Sequence, residues 1–588
     1  MNPIVARAKK GRVLVLCALP YSNGIPHIGN IVGSHLPADI FARWCRLKGV
    51  DTVFVGATDE NGTPTEVASL ELGVTPKELT DALYKVHKDI YSWFEISYDN
   101  FSRTSRAVHH RTTQEFFLKI YKKGYIGEGV LRLPYCENDR IFLPDRYVQG
   151  TCPVCGYQFA RGDQCENCST LLDPIQLINP KCKVDGSTPV FKDSKQLFLE
   201  LGKLQGRLEK WITSRRTWRN QVKALALGWI KEGLKKRSIT RDLRWGVPVP
   251  LKGWEDKVFY VWFDAPIGYI SATKEWAEEK GRPQAWKKFW LDKDTRVYNF
   301  LGKDNIPFHT IFWPGMLFAH GGFNLPYDVV GLQFCNYEGD KISKSRNWGI
   351  FCENVPQVGL EPDIWRYYLI GIIPETRDTE FKWDDFQSRV NNELVANIGN
   401  FVHRTTTFAW NNFEGSTTSR RKTAGEAEML RKVRKLGNEA ERLLDEVRFR
   451  EALTKVLAMT DAGNEFFQRS QPWKLVKEDR ERCEGIIHSC LEVCGTVGIM
   501  LKPFLPASSD KILGLLGIEG ATVKDASRPR KKFKLAGKPE IPFRKLEDAQ
   551  ILRAKTLATK SRPVSDFFRR EEPAHSQDGR ASSPVGSE

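Results

Sequence analysis

The stretch CALPYSNGIPHIGN, residues 17–30, follows an apolar run at residues 13–16. Four consecutive aliphatic residues predict a buried strand of a parallel sheet, and the prolines and glycine that follow predict a tight turn. A helix start near Gly29 completes a strand, turn and helix N-terminus of the kind that binds phosphate groups. His27 and Asn30 lie three residues apart, so both can face one ligand. The alternative for this opening turn is an ordinary loop in which Asn30 only caps the helix.

The composition indicates a large basic protein. The chain has 588 residues, with 89 basic and 72 acidic side chains and a net charge of +17. This length predicts several domains, and the charge favours a polyanionic partner such as RNA over the alternative of a basic protein with a charged tail. No uninterrupted apolar run approaches the roughly 20 residues that span a membrane, and the N-terminus does not fit a signal peptide or a mitochondrial presequence. We expect a cytoplasmic protein with no membrane or DNA partner.

Further strands are predicted along the chain, each followed by polar residues. A helix over residues 31–47 leads to a second buried strand at 53–57, which ends in TDENGT, and helical sequence then continues to about Lys123. Runs at 258–263 and 296–301 predict two more strands, ending in DAPIGY and GKDN. Ligands bind at the carboxyl ends of strands in open parallel sheets. We therefore predict two halves of a nucleotide-binding fold, split by an inserted module.

The insert carries a zinc-type cysteine pattern. Two C-x-x-C pairs, separated by nine residues, supply four thiol ligands: Cys152, Cys155, Cys165 and Cys168. Four thiolates close a tetrahedral structural zinc site and leave no position for a substrate. Such clustering also indicates a reducing compartment rather than disulfides. The alternative is four free thiols in a loop.

A second, weaker pattern flanks the first. It pairs two cysteines with two aspartates: Cys136, Asp139, Cys182 and Asp185. Zinc accepts carboxylate ligands, but hard oxygen donors weaken the match. A knuckle held by hydrogen bonds without metal is the favoured alternative.

Residues 338–346, EGDKISKSR, form a basic segment with serines and a glycine. Such a loop can close over a polyphosphate, and the alternative is a solvated basic loop.

From about residue 391 the sequence becomes helical. Met429, Val433, Leu436, Ala440, Leu443 and Val447 follow a helical rhythm that predicts a helical bundle. The last 60 or so residues are basic and then rich in Ser, Gly and Pro, which predicts disorder from about residue 560.

Together these motifs resemble a class I aminoacyl-tRNA synthetase, and within that class the methionyl-tRNA synthetase family of the eukaryotic cytosolic type. Residues 27–30 (HIGN) match the first signature, HIGH, and residues 341–345 (KISKS) match the second, KMSKS. The zinc pattern and WFDAPIGY at 262–269 lie between them, and the resemblance covers roughly residues 11–555. It implies an α/β class: a Rossmann-type parallel-sheet catalytic domain, interrupted by a zinc-binding insert and followed by an all-α helical-bundle domain that binds the anticodon.

The resemblance also implies an activity and its residues. The family activates L-methionine with ATP and Mg²⁺ to methionyl-adenylate, then transfers it to tRNA(Met). The implied ATP-binding residues are His27, Gly29, Asn30, Gly302, Asp304, Lys341 and Lys344, of which His27, Asn30, Lys341 and Lys344 are catalytic. The implied methionine-binding residues are Leu19, Tyr21, Asp59, Trp262, Ala265, Pro266, Tyr269, Phe308, His309 and Trp313.

Elementary chemistry agrees with this set. A thioether is uncharged and polarisable, so its recognition needs an apolar, aromatic cavity, and Asp59 is implied to bind the amino group. The methionine carboxylate is the nucleophile, so catalysis needs positioning and charge neutralisation rather than a general base. The alternative for each aromatic residue is core packing.

The helical domain is implied to read unpaired anticodon bases. Trp473, in QPW at 471–473, matches a stacking tryptophan, and Asn397 matches a contact on a helix. The alternative for Trp473 is a packing residue at a helix start. The basic tail either holds tRNA nonspecifically or acts as a spacer.

Three features depart from the family pattern. Asn30 replaces the second histidine of HIGH, and it can still donate to phosphate. Ile342 stands where Met or Phe is usual, and Asn347 and Trp348 follow Arg346 where a glycine is usual. The larger side chains of Asn347 and Trp348 predict slower closure of this loop rather than a different reaction. We also find no appended OB-type tRNA-binding domain.

We predict six regions. They are the first catalytic half at 1–126, the zinc-bearing insert at 127–245, the second catalytic half at 246–335, the KMSKS-type loop and stem-contact region at 336–390, the anticodon-binding domain at 391–525 and a basic tail at 526–588.

Two competing functions stay open at this point. A leucyl-, isoleucyl- or valyl-type enzyme would carry a longer editing insert, and a catalytically weak paralogue would only bind tRNA or a protein. The sequence leaves open the oligomeric state and any partner in a multi-synthetase complex or scaffold.

Overall fold

The computed structural model describes residues 11–143, 147–162, 165, 167–168, 170, 172–344 and 346–568. The strands, labelled in chain order, are β1 Arg12–Cys17, β2 Asp51–Thr58, β3 Asn100–Arg103, β4 Ile126–Cys136, β5 Ile141–Phe142, β6 Val148–Thr151, β7 Ala160–Arg161, β8 Ile178–Cys182, β9 Val190–Leu199, β10 Arg237–Ser238, β11 Thr240–Arg241, β12 Val258–Phe259, β13 Thr295–Gly302, β14 Pro326–Leu332, β15 Cys335–Tyr337, β16 Thr379–Phe381, β17 Ser416–Thr418 and β18 Lys532–Lys534.

The α-helices alternate with these strands and then dominate the C-terminal part. They are α1 Ile28–Asn30, α2 Leu36–Leu47, α3 Thr63–Leu72, α4 Pro76–Trp93, α5 Ala107–Lys122, α6 Gln205–Ser214, α7 Asn220–Glu232, α8 Val261–Asp264, α9 Gly268–Glu279, α10 Trp286–Trp290, α11 Trp313–His320, α12 Pro362–Gly371, α13 Trp383–Arg389, α14 Asn400–Phe413, α15 Ala424–Asp445, α16 Phe449–Ser470, α17 Pro472–Glu478, α18 Arg480–Leu501, α19 Pro506–Leu515 and α20 Asp548–Ala558. Among the described residues, three segments are π-helical: Ile31–His35, Phe308–Phe312 and Val390–Gly399.

The first strand lies at the centre of a five-stranded parallel sheet. The order is β14-β13-β1-β2-β3, and β1 pairs with β13 on one side and β2 on the other. Its apolar side chains are fully buried because helices cover both faces of such a sheet. The split nucleotide-binding fold is confirmed, since strands from both sides of the insert share one sheet. Every chain segment that leaves a carboxyl end of β1, β2 or β13 therefore emerges at one edge.

Two local predictions were wrong. The helical stretch to about Lys123 is interrupted by β3, whose short sequence NFSR has too few apolar residues to stand out as a strand. The run at 258–263 is a strand only over β12, and its second half turns into α8. Phe263 there packs on Phe259, with ring centroids 5.1 Å apart, so tertiary packing overrides the β-propensity of this aromatic run.

The insert is built from small antiparallel sheets. One has the order β10-β9-β4-β5, and the other, β7-β6-β8, lies beside the cysteine pairs. The long pairing of β4 with β9 forms the stem of the insert. This module therefore has its own scaffold, separate from the parallel sheet.

The C-terminal part is a bundle around α15, α16 and α18. The predicted rhythm falls within α15 up to Leu443, with Met429, Val433, Ala440 and Leu443 buried, and its last member, Val447, lies just beyond the helix end at Asp445. Helix α18 is long and apolar enough to cross a membrane by length and composition alone, but 83 % of its most apolar window is buried inside the protein. It has the character of a core helix.

A buried ion pair joins the bundle to the sheet domain. Arg366 donates to Asp39 at 2.8 Å and to the carbonyl of Phe504 at 2.8 Å, and both charged side chains are fully buried. Asp39 pairs with Arg43 as well, at 2.9 Å, whereas removal of Asp39 would leave Arg366 as an uncompensated buried charge. Within the tail predicted as disordered, the structure has a 3₁₀-helix at Val564–Phe567, and residues 569–588 lie outside the described residues.

Candidate active site

The opening turn is fixed to the sheet beside it. The N–H of Ala18 donates to the carbonyl of Phe300 on β13 at 2.9 Å. Asn30 accepts a hydrogen bond from the N–H of His27 through its side-chain oxygen at 3.0 Å. The capping contact foreseen as the alternative is therefore present, and it leaves the side-chain NH₂ of Asn30 as a donor for an anion.

His27 and Gly29 are closely packed within this turn. A Cβ atom at residue 29 would lie 2.9 Å from Nδ1 of His27, so any larger residue would have to displace the imidazole. That nitrogen is buried without a hydrogen-bond partner among the described residues. Burial, assisted by the charge of Lys344, lowers the pKa of His27 to about 3. The imidazole is thus neutral at physiological pH and can interact with a phosphate only through hydrogen bonds.

Lys344 reaches the opening turn from the second signature. We call residues 340–348 the Lys344 loop. A Cβ atom at Gly24 would lie 3.1 Å from Nζ of Lys344, so the ammonium group rests on the turn. The residue as a whole is exposed, but its Nζ lies against the turn and loses water there. This desolvation lowers the pKa of Lys344 to about 8 against the opposing effect of Glu353, which leaves most of the lysine protonated at pH 7.

The segment after the Lys344 loop pairs with the opening turn through the backbone. The N–H of Ile28 donates to the carbonyl of Ile350 at 3.1 Å, and the N–H of Cys352 donates to that of Pro26 at 2.9 Å. His27 and Phe351 form the antiparallel bridge between them. The two signatures, far apart in sequence, are thus neighbours on one short ladder.

The Lys344 loop itself is a hairpin. Ser343 and Trp348 exchange backbone hydrogen bonds of 2.8 and 2.9 Å. Asn347 turns the chain with a φ of +49°, a conformation that asparagine tolerates better than most residues. Trp348 packs edge-on against Tyr337 and donates through Nε1 to its carbonyl at 3.2 Å. The bulky residue that departs from the family pattern therefore braces the base of the hairpin.

Buried carboxylates line the turn after β2. Asp59 continues the pairing with Tyr21, and its Oδ1 atom is buried without a hydrogen-bond partner among the described residues. Burial raises the pKa of Asp59 well above its usual range, and the nearby Asp264 and Glu60 add to this effect. A buried carboxylate with an unpaired oxygen is a site for a cationic group.

Sequence reasoning missed the polar network beside Asp59. Asn61 donates to Asp264 at 2.7 Å, and His109 lies 3.1 Å from the same oxygen of Asp264. Arg103 pairs with the fully buried Glu60 at 2.8 Å. The available signal was the polar turn TDENGT, but nothing in the sequence connected it to His109 and Arg103 on distant segments.

The predicted aromatic residues come together beside this turn. Trp262 stacks on Phe308 with ring centroids 3.8 Å apart, and Tyr21 meets Trp262 edge-on at 6.2 Å. Leu19 packs against Gly268, immediately after Ala265 and Pro266, which lie in a buried 3₁₀ turn. These rings form the apolar wall that a thioether side chain requires.

His309 supplies a polar contact at this wall. Its Nδ1 lies 3.1 Å from the carbonyl of Asn305, so that nitrogen carries the proton, and its Nε2 accepts from the hydroxyl of Tyr269 at 2.9 Å. Burial lowers the pKa of His309 to about 4, so the ring is neutral. Trp313 is fully buried against Phe116 and Trp290, which are outside the predicted pocket set.

Three further predicted residues lie at the rim. Gly302 ends β13, where a Cβ atom would meet Asp304 at 2.8 Å. Asp304 lies in a one-turn 3₁₀-helix and is exposed, as is Lys341 at the start of the Lys344 loop. Asp304 and Lys341 thus face solvent, and Gly302 is half-buried beside them.

The four-cysteine cluster fits a zinc ion. The Sγ atoms of Cys152 and Cys168 are 3.8 Å apart, those of Cys155 and Cys165 are 3.6 Å apart, and all four lie within 4.8 Å of one another. A tetrahedral ion with Zn–S bonds of about 2.3 Å requires sulfur separations of about 3.8 Å. The donor set and its spacing therefore suit a structural zinc site.

The mixed cluster is held by its own hydrogen bonds. Its ligand atoms, from Cys136, Asp139, Cys182 and Asp185, also lie within 4.8 Å of one another. The thiol of Cys136 is 3.3 Å from Asp139, and Asp185 accepts from Asn138 and from Ser187, each at 2.7 Å. Such bonds can close the knuckle without metal, as in the favoured alternative.

The helical domain presents a polar and aromatic surface along α16. Asn397, in the π-helical segment, donates to Asp461 at 2.8 Å and accepts from Asn464 at 3.1 Å. Arg404 donates to Asn464 at 2.9 Å and lies 4.3 Å over the ring of Phe467. Trp473 is 41 % exposed at the start of α17 and lies 6.4 Å from the same ring. Its exposure argues against a pure packing role, and Arg404 was not among the residues named from the sequence.

Comparisons with known proteins agree with this architecture. The family model described as tRNA synthetases class I (M) matches residues 13–406, and that described as the anticodon binding domain of methionyl tRNA ligase matches residues 415–557. The methionine–tRNA ligase of Thermococcus kodakarensis is 44 % identical over 561 residues, which cover 92 % of this chain and 75 % of the relative. That of Rubrobacter xylanophilus is 42 % identical, with 92 % and 96 % covered.

A solved structure shares the fold. Mycobacterium tuberculosis methionyl-tRNA synthetase in complex with methionyl-adenylate matches with a TM-score of 0.75 at 23 % identity, covering 90 % of this chain and 99 % of that one. The parallel sheet, its paired signature loops and the helical domain define a class I aminoacyl-tRNA synthetase. The family models and relatives then narrow the class: the chain belongs to the methionyl-tRNA synthetase family, a family of ligases. They leave no support for the leucyl-, isoleucyl- and valyl-type alternatives.

Proposed function

We propose that the protein is a methionine–tRNA ligase that activates L-methionine with ATP and transfers it to tRNA(Met). The observation that carries this proposal is the contact of Lys344 with the opening turn, beside an aromatic pocket that contains the unpaired carboxylate oxygen of Asp59. A cation, phosphate-binding backbone and a carboxylate for an amino group are the three elements that amino-acid activation requires.

The proposed activation step needs no protein nucleophile. The methionine carboxylate attacks the α-phosphate of ATP, a new P–O bond forms, and the bond to the leaving pyrophosphate breaks. His27 and Asn30 hydrogen-bond the phosphates, and Lys344 and Lys341 neutralise charge on the leaving group. Gly29, Gly302 and Asp304 hold the nucleotide. The terminal adenosine hydroxyl of the tRNA then attacks the adenylate carbonyl and releases AMP. Mg²⁺ accompanies ATP and offsets charge on its phosphates.

Asp59 binds the amino group of methionine in this proposal. The ammonium supplies the cation that the buried carboxylate lacks, so substrate binding returns the pKa of Asp59 toward its usual range. Leu19, Tyr21, Trp262, Ala265, Pro266 and Phe308 enclose the side chain. Tyr269 and the neutral His309 form the polar end of the cavity, and Trp313 supports the wall from the core.

The test is methionine-dependent exchange of pyrophosphate into ATP, followed by charging of tRNA(Met). We expect exchange with methionine and none above background with leucine, isoleucine or valine. Exchange with another amino acid would contradict the methionine assignment. Normal tRNA binding without any exchange would instead identify a catalytically weak paralogue.

We further propose one structural zinc ion, held by Cys152, Cys155, Cys165 and Cys168. Metal analysis of the purified protein should give one zinc per chain. Cys152→Ser should remove the metal and destabilise the insert, while Cys136→Ser, the matched change in the mixed cluster, should leave the zinc content unchanged. A content of two per chain that falls to one in Cys136→Ser would assign metal to the mixed cluster as well.

The surface along α16 is proposed to bind the anticodon. Trp473 stacks on one unpaired base, while Asn397 and the newly identified Arg404 contact its neighbours. Trp473→Ala should raise KM for tRNA about tenfold, as expected for the loss of one stacked base, and leave pyrophosphate exchange unchanged. Trp473→Phe keeps an aromatic face and should retain most of the affinity. An equal loss in exchange would place Trp473 outside tRNA recognition.

We also propose a cytoplasmic location, supported by the zinc-type thiol cluster, which suits a reducing compartment. A eukaryotic cytosolic type is proposed from Asn30 in the first signature alone. The relatives described above are archaeal and bacterial, so they support the family and not this finer type. Fractionation of cells that express the protein tests the location.

A further inference from the structure

The chain after the helical domain returns to the catalytic domain. At the junction of the two domains, the N–H and carbonyl of Leu546 bond the side chain of Asn391 at 2.8 and 3.0 Å. Helix α20 follows and packs on the 3₁₀-helix Val355–Val358, with Ala554 and Ala558 fully buried. The end of α20 is thus held immediately beside the segment that follows the Lys344 loop.

Residues 558–562, which we call the strap, then run along that segment. The carbonyl of Ala558 accepts from the N–H of Phe351 at 2.9 Å, and the carbonyl of Lys560 accepts from the side chain of Asn354. The N–H of Arg562 donates to the carboxylate of Glu353 at 3.0 Å. Because these contacts use mainly the strap's backbone, a basic tail with little sequence pattern can still bind a defined site.

One strap contact reaches the Lys344 loop itself. The N–H of Ser561 donates to Oδ1 of Asn347 at 3.0 Å. Asn347 holds the left-handed turn of the hairpin, and its own N–H donates to the carbonyl of Lys344 at 3.1 Å. A glycine at this place, as is usual in the resembled family, would offer no such acceptor. The departure at Asn347 therefore has a partner in this chain.

The same segment touches the opening turn on its other side. Phe351 gives its N–H to the strap, while Ile350 and Cys352 on either side of it bond to Ile28 and Pro26. The strap, the segment 350–354 and the opening turn are three consecutive layers. The segment 350–354 therefore connects the strap to the turn on which Lys344 rests.

We propose that the strap positions the Lys344 loop for amino-acid activation, with Ser561 and Asn347 as positioning residues. This inference rests on the proposed ligase function. The strap touches neither ATP nor methionine. It holds the hairpin turn so that the Lys344 ammonium stays over the opening turn, and its loss should lower kcat for adenylate formation rather than methionine affinity.

The experiment uses the full chain and pyrophosphate exchange. Asn347→Gly keeps the left-handed turn and removes the acceptor, and Ser561→Pro removes the donor N–H. Each should lower kcat about three- to tenfold, the size expected for one hydrogen bond, with KM for methionine unchanged. Asn347→Asp retains the acceptor oxygen, and Ser561→Ala retains the N–H, so each should restore most of the rate.

A double-mutant cycle separates this inference from general destabilisation. If the contact acts as stated, Ser561→Pro should cost little more in an Asn347→Gly background. Full additivity, or wild-type kcat in Asn347→Gly, would overturn the proposal. Exchange by the unmodified protein tests the proposed function beforehand, so the two failures are distinguishable.

Discussion

The opening turn and the Lys344 loop face each other across the proposed ATP site but are built differently. The turn follows β1, the central strand of the sheet, and its residues are buried or half-buried. The described residues of the loop are mostly exposed, and its Asp340–Arg346 ion pair is solvent-accessible on both sides. Exposed pairs of this kind contribute little. The difference indicates a preformed surface for the substrates and a weakly held element that supplies charge in the transition state.

Lys344→Ala tests the proposed transition-state role most strongly. Exchange should fall about 100- to 1,000-fold, because one charge that stabilises the leaving group is removed. Methionine affinity without ATP should not change, which equilibrium binding checks. Lys524→Ala, an exposed lysine of the helical domain, is the control. Equal losses in exchange and methionine binding would mean that Lys344 supports the pocket instead.

Gly29→Ala tests whether the opening turn is rigid. The new Cβ would lie 2.9 Å from Nδ1 of His27, whereas a Cβ at Gly33 meets nothing within 4 Å. We expect Gly29→Ala to reduce kcat/KM for ATP by roughly 10- to 100-fold and Gly33→Ala to have little effect. Similar values for the two variants would show that the turn adapts freely.

The pH dependence of kcat/KM for ATP tests whether the Lys344 loop acts through the charge of Lys344. Burial lowers the pKa of Lys344 to about 8, so the ammonium is present below this pH and is lost above it. Since kcat/KM reports on the free enzyme, its value for ATP should fall about tenfold per pH unit above this point. In Lys344→Arg, which stays charged, the decline should disappear. A decline that persists in Lys344→Arg would assign it to another group.

Trp348→Ala should have the smallest effect. The ring packs on Tyr337 at the base of the hairpin, so its removal should loosen the loop and lower kcat about two- to threefold. Trp348→Phe retains ring packing and serves as the control. A rise in kcat would instead support the view that bulk after Arg346 slows closure.

The sequence predicted the three central strands of the parallel sheet, because apolar runs that end in polar turns are a strong local signal, but it named neither edge strand, β3 or β14. Strands β1, β2 and β13 and the opening turn were found in this way, and the cysteine pairs were found from their C-x-x-C spacing. The short polar strand β3 and the aromatic helix α8 were not, since distant partners decide their structure. The π-helical segments at 31–35, 308–312 and 390–399 likewise leave no recognisable pattern in sequence.

The site was predicted in part for a similar reason. Motif residues such as His27, Lys344 and Trp262 could be named because they occur in short contiguous stretches. The network of Glu60, His109 and Asp264 draws on three separate segments, so spacing gives no indication of it. The strap was hidden by composition, because a basic tail that docks through its backbone has the same residue content as a disordered one.

The ladder between the two signatures has a consequence for how this protein tolerates change. The bonds from Ile28 to Ile350 and from Cys352 to Pro26 use only main-chain atoms. Substitution at residues 350 and 352 alters packing but leaves those bonds in place, and only a proline at 28 or 352 would delete a donor. The alignment of the two loops therefore tolerates side-chain substitution. The side chains around it can vary as long as the number of residues in each segment stays the same.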